Sequence, residues 1–130
     1  MYQERTRSIE ISVETFYLDD QSAPDRNRYV FGYRIHIDNQ GQESVQLISR
    51  HWQITDALGR TMEVRGAGVV GKQPILQPGE TFEYTSGTPL ATSSGIMVGS
   101  YQMVTNAGES YDVAIPAFSL DAPDSPVQLN

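Results

Sequence analysis

The chain has 130 residues and a formal net charge of -7, from sixteen acidic and nine basic residues. Cysteine is absent, which excludes disulfides, thiol nucleophiles and thiolate metal sites. The acidic balance argues against nucleic acid and anionic membrane surfaces as partners. At this length we expect a single domain over residues 1–130, with a core at about 8–120 and a flexible tail at 121–130.

The N-terminal residues mix both signs of charge and contain no apolar segment, so they do not resemble a secretory signal. No apolar run approaches the roughly 18 residues that a membrane helix needs. The expected compartment is therefore the cytoplasm.

The first strand is predicted at residues 8–13, where apolar and polar side chains alternate. The apolar positions then change parity to Phe16 and Leu18. This shift predicts a β-bulge near Glu14 and Thr15.

Residues 29–37 form the strongest alternating run and predict a central strand. A polar turn at 38–43 separates it from a second long strand at 45–55. Apolar residues of that strand change parity near Leu47 and Ile48, which predicts a bulge there.

This parity places Trp52 in the core and His51 on the surface. Arg50 then shares the face of Trp52. It must reach the rim of the domain or meet a carboxylate, because an unpaired buried guanidinium is too costly. His36 falls on a strand of the opposite sheet, so the two histidines are not expected to share a metal ion.

The remaining strands are shorter, with a tight hairpin signal at 106–109 and a polar connection at 85–95. Pro116 either ends the pairing of the last strand or marks an edge position. They are predicted at 62–64, 81–85, 97–103 and 111–115. About seven strands without helical periodicity predict an all-β fold, an antiparallel β-sandwich of the immunoglobulin or fibronectin type III class.

The most unusual stretch is RGAGVVGK, in which Gly66, Gly68 and Gly71 have the spacing G-x-G-x-x-G. That spacing holds a dinucleotide when it opens a helix, but the residues after Lys72 predict a turn and a strand. Two interpretations stay open. The glycines allow positive φ or close strand approach, or their amides form an anion nest flanked by Arg65 and Lys72.

The sequence contains few other candidates for catalytic residues. The nucleophile motif G-x-S-x-G is absent, and the acidic residues are scattered, so no residue is assigned a catalytic or metal-binding role.

Four motifs, RHW-x-ITDA-x-G, EVRG-x-GVVG, QP-x-L-x-PGE and YTSG, stand together in this chain. With them the sequence resembles the bacterial ApaG family, also called CorD, over nearly its whole length, roughly residues 8–123. The resemblance implies a fibronectin-like β-sandwich.

Less is implied about activity. The family takes its names from a genetic neighbourhood with a diadenosine tetraphosphate hydrolase and from a link to cobalt resistance and magnesium efflux. Similar domains occur in an F-box protein and in a DNA polymerase delta-interacting protein, which implies protein binding. The glycine signature, here Gly66, Gly68 and Gly71, has been suggested to bind pyrophosphate.

Two hypotheses follow. The first is a non-catalytic module that binds a protein partner, needs no cofactor, and is linked by resemblance to cobalt and magnesium homeostasis. The second is a phosphate- or nucleotide-binding protein, or a Mg²⁺-dependent pyrophosphohydrolase, that uses Arg65, the 66–71 loop and Lys72. A homodimer is compatible with both, since sandwich edges invite pairing.

Overall fold

The computed structural model describes residues 1–123 as two packed antiparallel sheets. The strands are β1 (Tyr2–Thr6), β2 (Ile9–Tyr17), β3 (Tyr29–Asn39), β4 (Val45–Asp56), β5 (Thr61–Ala67), β6 (Ile75–Leu76), β7 (Thr81–Leu90), β8 (Ser94–Thr105) and β9 (Ser110–Asp121). Helical structure in this range is limited to two three-residue 3-10 turns, at Asp19–Gln21 and Pro24–Arg26. Neither is long enough to cross a membrane.

The first sheet has the order β1-β2-β3-β7 and the second β5-β4-β8-β9, with β6 also paired to β4. Consecutive strands β3 and β4 lie in opposite sheets, as in immunoglobulin-like sandwiches. The predicted all-β antiparallel sandwich is confirmed. Residues 1–123 form nine strands rather than about seven, because β1 has no apolar stripe and β6 has only two residues, so neither shows a period of two.

The core lies between the sheets and is filled by alternate residues of each strand. Trp52 is buried there as predicted. Its ring lies edge-on to Tyr33 and to Phe118, with ring centroids 5.5 and 5.8 Å away. An aromatic side chain buries about 150–250 Å², so this cluster contributes much of the apolar burial that holds the two sheets together.

The bulge predicted in β4 is confirmed, since the register of β4 with β8 shifts between Leu47 and Ser49. Ile48 is the extra residue, and its side chain points to solvent. The shift turns the even-numbered residues of the rest of β4 inward, and it is the reason that Arg50 and Trp52 share the inner face.

The bulge predicted near Glu14 and Thr15 is wrong, because β2 and β3 pair without a break in register. Phe16 instead lies on the outer face of the first sheet. Its ring fills the space above Gly32, where a Cβ atom would come within 2.3 Å of it. The apolar side chain therefore covers a glycine rather than entering the core.

One predicted strand limit is also wrong. Residues 85–95 are mostly not a connection, because β7 continues to Leu90 and β8 begins at Ser94. Of the two alternatives for Pro116, it does not end β9 but does lie on an edge strand, since β9 is the last strand of the second sheet. It lies where the register of β8 and β9 shifts, so its missing N–H removes no ladder hydrogen bond. The hairpin predicted at 106–109 is confirmed by the Thr105 amide, which donates to the Glu109 carbonyl at 2.8 Å.

One side of the sandwich is closed by β1, which lies against β9. The Ala114 amide of β9 donates to the Thr6 hydroxyl at 3.1 Å, and the Ser119 amide donates to the Tyr2 hydroxyl at 3.4 Å. Side chains of β1 therefore satisfy edge donors of β9. The opposite side, between the free edges of β5 and β7, has no such closure in the described structure.

Strands extend beyond the predicted core limits of 8 and 120, since β1 starts at Tyr2 and β9 ends at Asp121. The Ala122 amide donates to the Ser93 carbonyl. Residues 124–130 of the predicted tail lie outside the described residues.

Candidate functional site

The glycine stretch forms the end of β5 and a tight hairpin directly after it. Val69 and Lys72 exchange backbone hydrogen bonds of 2.8 and 2.9 Å. The two residues between them, Val70 and Gly71, have φ of +43° and +79°, as a primed two-residue turn requires. Among the described residues the elements that follow Lys72 are all strands, beginning with β6, so the helix N-terminus of a dinucleotide site is absent there, as the sequence predicts.

Gly68 anchors this hairpin to β4. Its amide donates to the Ile48 carbonyl at 2.9 Å, and its φ is +62°. A Cβ atom on Gly68 would lie 2.2 Å from the Lys72 carbonyl oxygen. Val69, the next residue, is fully buried in the core. The backbone here is therefore fixed by internal hydrogen bonds, and the amides of Gly68, Val69 and Lys72 are already used.

Arg50 lies beneath this backbone on the inner face. Its Nη1 donates to the Ala67 carbonyl at 3.1 Å and to the Gly68 carbonyl at 2.8 Å. A Cβ atom on Gly66 would come within 2.9 Å of the same nitrogen. The sequence left two solutions for Arg50, the rim or a carboxylate. The half-buried guanidinium lies at the rim and pairs with no carboxylate among residues 1–123. Its hydrogen bonds go to backbone carbonyls, and Gly66 provides the space for them.

Three tyrosines line the interior next to Arg50. The hydroxyls of Tyr84 and Tyr101 share a hydrogen bond of 2.5 Å, and the Tyr33 hydroxyl interacts with Ser86. Burial raises the pKa of all three phenols. They are therefore neutral at physiological pH, and their hydroxyls form hydrogen bonds inside the core.

His51 faces outward, as predicted, on the other side of β4. Its Nε2 lies 2.7 Å from Glu63 Oε2, and Arg65 Nη2 lies 3.4 Å from the same oxygen. The hydrogen bond from His51, together with the positive charge of Arg65, lowers the pKa of the Glu63 carboxyl. These groups form an ion-pair cluster on a flat, exposed face.

The candidate site residues predicted from the sequence lie on two different faces of β5 and in the hairpin after it. Arg50, Gly66 and Gly68 meet on the inner side of β5, while Arg65 and His51 lie on its outer side. Lys72 is exposed beyond the hairpin, and none of its side-chain contacts within 1–123 is an ion pair. The amides next to it that remain outside the hairpin's internal hydrogen bonds are those of Val70 and Gly71.

In the described part of the chain, the titratable side chains away from the glycine stretch do not form a cluster. His36 and His51 lie in opposite sheets, as predicted. Within residues 1–123 no three His, Asp or Glu side chains are grouped closely enough to hold one metal ion. Each ion pair of this range has at least one partner whose side chain is 46% or more exposed.

A feature that sequence reasoning missed is the free edge of β7. The sequence predicts a connection at 85–95, which hides the second half of this strand. The signal was present in the even-numbered residues Tyr84, Ser86, Thr88 and Leu90, which alternate with exposed neighbours. Ser86 and Thr88 are too polar to mark the pattern as a strand.

Next to this edge, a groove of 530 Å³ runs over the outer face of the first sheet. Gly32 of β3 and Gly87 of β7 stand directly opposite each other in the register. The ring of Phe16 covers Gly32, whereas the outer side of Gly87 is open and forms the floor of the groove. Phe16, Leu18 and Pro89 are among the residues that line the groove.

Comparison with known proteins agrees with this architecture. Residues 19–105 match the family model described as the ApaG domain. The chain is 58% identical to Protein ApaG of Paramagnetospirillum magneticum over 130 residues, covering all of both chains. It is 63% identical to Protein ApaG of Rhodospirillum centenum over 123 residues, covering 95% of each.

A solved structure is also similar. The crystal structure of a Bordetella pertussis protein described as ApaA matches with a TM-score of 0.87 and 50% sequence identity, covering 90% of this chain and 95% of that one. The match of the family model to most of the chain, with full-length relatives at this identity, establishes the family: this protein belongs to the ApaG domain family.

Proposed function

We propose that this protein is a non-catalytic module that binds a partner protein, and that the partner adds an extended segment to the free edge of β7. The observation that carries the proposal is an unpaired strand edge lying beside a groove with a glycine floor. Main-chain hydrogen bonds at such an edge supply affinity, and neighbouring pockets supply specificity.

The register of β7 defines which backbone groups are free. The Asn39 amide of β3 donates to the Glu80 carbonyl at 3.0 Å, and the pairing continues without a shift from Asp38 opposite Thr81. Hydrogen-bonding residues alternate in an antiparallel pair. The odd-numbered residues of β7 therefore direct their backbone groups away from β3, which leaves the amides of Thr81, Glu83, Thr85 and Gly87 at the edge.

Pro89 closes this row at one end, because it has no N–H and occupies the same parity. Prolines are typical of edge strands and bulges. Phe16 and Leu18 supply an apolar wall near the same end of the edge. An added strand would direct alternate side chains toward the groove, so a partner segment with a large apolar residue beside Gly87 fits best.

The test is binding to wild-type protein and to the Thr85→Pro variant. Proline at position 85 removes one outward amide and keeps the ladder to β3, as Pro89 already does. The matched control is Arg65→Pro, at an equivalent outward position of the other free edge, β5. Selection of extended peptides of about ten residues from a displayed library, followed by calorimetry, provides the ligand.

We expect selected peptides to bind wild type and the Arg65→Pro variant alike, and to bind Thr85→Pro at least about tenfold more weakly, a loss of roughly 1.4 kcal/mol. Backbone amide shifts should be centred on residues 81–87. Peptides that bind equally to all three proteins, or whose shifts lie elsewhere, would refute this site.

A second candidate function is phosphate binding at the hairpin tip, and one observation favours it. The amides of Val70 and Gly71 are consecutive, have positive φ and lie next to the exposed Lys72. Successive amides of this kind, with a cation beside them, can receive an anion. The Mg²⁺-dependent form of this hypothesis requires the metal to arrive with the nucleotide.

Amide shifts measured with ATP and with diadenosine tetraphosphate, each with and without Mg²⁺, test this candidate. We expect the amide signals of Val70 and Gly71 to shift at sub-millimolar ligand, while those of Gly68, Val69 and Lys72, which donate internally, shift less. Samples with Mg²⁺ or Co²⁺ alone test the link to these cations, because an ion that binds the folded state raises the melting temperature. No shift at 70–72 with any nucleotide would remove the phosphate site.

A further inference from the structure

β5 is the other free edge of the open side, and its backbone pattern is defined at both ends. The Asp56 amide donates to the Arg60 carbonyl just before β5, and the Gly68 amide donates to the Ile48 carbonyl just after it. By alternation, Met62, Val64 and Gly66 bond to β4. Glu63 and Arg65 therefore direct their N–H and C=O groups away from the sheet.

The charges along this edge are self-complementary. Glu63 and Arg65 are separated by one residue, and both side chains lie on the exposed outer face. If a second β5 pairs in antiparallel orientation with its centre at Val64, Glu63 of each copy stands opposite Arg65 of the other. Opposite charges at directly facing positions stabilise a strand pair. The edge of β7 lacks this property, since Glu83 has no outward cation on the same strand.

Apolar residues around β5 fit the same two-fold arrangement. Met62 and Val70 are 49% and 53% exposed, and Leu58 is 71% exposed. Leu58 and Val70 lie at equal distances in sequence on either side of Val64. The same axis places Leu58 of one copy near the hairpin of the other copy, which carries Val70. It also places Met62 of one copy opposite Gly66 of the other.

Val70 adds an independent observation. Its φ is +43°, a conformation that a β-branched residue rarely adopts and that costs about 1–3 kcal/mol. Asn or Gly would fit this turn without strain. The strain and exposure of Val70 are explained if the surface of another protein molecule covers its side chain.

We infer that two copies of this chain associate edge to edge through β5, in antiparallel register about a two-fold axis at Val64. Pairing of Glu63 with Arg65 in both directions supplies about four backbone hydrogen bonds and two ion pairs, and it joins the second sheets of the two copies into one continuous sheet. The contact uses a single strand and its flanking turns, so the dimer is weak, with Kd in the range of about 10–100 µM. It leaves the β7 edge unoccupied and does not depend on the function proposed for that edge.

Charge reversal provides the test, with mass measured by sedimentation velocity from about 5 µM to about 1 mM in about 0.15 M salt, where long-range charge repulsion is screened. Arg65→Glu makes both facing positions acidic, and Glu63→Arg makes both basic. The control is Arg34→Glu, which reverses an exposed charge on the first sheet, where Arg34 pairs with Glu14 at 2.7 Å. Thermal melting confirms that each variant is folded.

We expect wild type and Arg34→Glu to reach twice the monomer mass with rising concentration. Each single β5 variant should associate at least about tenfold more weakly. An equimolar mixture of the Arg65→Glu and Glu63→Arg variants should recover a one-to-one dimer, because each acidic edge then faces a basic one. A wild-type protein that stays monomeric to about 1 mM, a dimer unaffected by either single variant, or a mixture that does not pair would overturn the proposal.

Discussion

Gly66, Gly68 and Gly71 stand within six residues but occupy three different environments. Gly66 leaves space for the guanidinium of Arg50, and Gly68 lets the backbone pass close to the Lys72 carbonyl. Gly71 has only its positive φ to explain it, since no atom lies within 4 Å of the position of its missing Cβ. At the scale of single residues, local packing and turn geometry therefore explain the G-x-G-x-x-G spacing.

Alanine substitution separates these environments. Gly71→Ala should cost only the strain of a positive φ, about 1–2 kcal/mol. Gly68→Ala adds an overlap with the Lys72 carbonyl oxygen, which forces the hairpin to move, and should cost at least about 1–3 kcal/mol more. Urea unfolding of the two variants measures the difference. Equal free energies of unfolding would contradict this account of Gly68.

The Glu63 carboxyl should titrate below the ordinary range, because its hydrogen bond with His51 and the charge of Arg65 lower its pKa. For an acid with a lowered folded-state pKa, the stabilisation is present above the ordinary pKa and is lost as pH falls through the folded value. The pKa is measured by NMR titration of the side-chain carboxyl. Substitution His51→Val should move the midpoint of Glu63 upward. An unchanged midpoint would show that His51 does not set the pKa of Glu63.

At the scale of elements, Arg50 connects β4, β5 and the hairpin. The parity change in β4 was readable from Leu47, Ile48 and Trp52, and it placed Arg50 inward. The hydrogen-bond acceptors of Arg50 could not be predicted from the sequence, because the carbonyls of Ala67 and Gly68 become available only through the positive φ at Gly68. Periodicity reports which face a side chain takes but not which backbone groups a turn leaves unpaired.

Replacing Arg50 with methionine tests this connection, since methionine keeps an unbranched apolar stem and removes the donors. Hydrogen bonds to charged groups contribute about 1.5–3 kcal/mol, so we expect a loss of that size. Amide exchange at Val69 and Lys72 should accelerate more than exchange in β8. The control is Arg34→Met, which removes an exposed ion pair and should leave hairpin exchange unchanged. Uniform acceleration across both sheets would show that Arg50 stabilises the domain generally rather than the hairpin.

On the scale of the whole molecule, the sandwich is asymmetric, with a side closed by β1 and a side left open between β5 and β7. The fold class was predictable because long alternating runs such as residues 29–37 specify half-buried strands. The closed side was not predictable, since β1 is mostly polar and contributes through Tyr2 and Thr6, whose hydroxyls bond to β9. The candidate edges were missed for the same reason: edge strands carry polar and charged side chains that hide their periodicity.

The buried tyrosines make stability of the whole domain sensitive to alkaline pH. Burial raises the pKa of Tyr84 and Tyr101 above the ordinary value of about 10. Below about pH 10 these phenols are protonated in both the folded and the unfolded chain, so the stability contributed by their burial is fully present. Above it, the unfolded chain loses protons that the folded chain retains, so stability falls as pH rises, by up to about 1.4 kcal/mol per tyrosine for each pH unit.

Urea unfolding between about pH 8 and pH 11 measures this slope. The Tyr84→Phe variant removes one of the titrating groups and should show a shallower decline, although its stability at pH 8 is lower because the Tyr101 hydroxyl loses its partner. A free energy of unfolding that stays constant above pH 10 would mean that these phenols ionise without unfolding the protein.

The contact between β1 and β9 also has a consequence for biosynthesis. Tyr2 and Ser119 are hydrogen-bonded across 117 positions of sequence, so β1 leaves the ribosome long before its partner strand β9. Contacts of such separation slow folding. During translation the side of β1 that contacts β9 therefore stays unpaired until β9 has been synthesised.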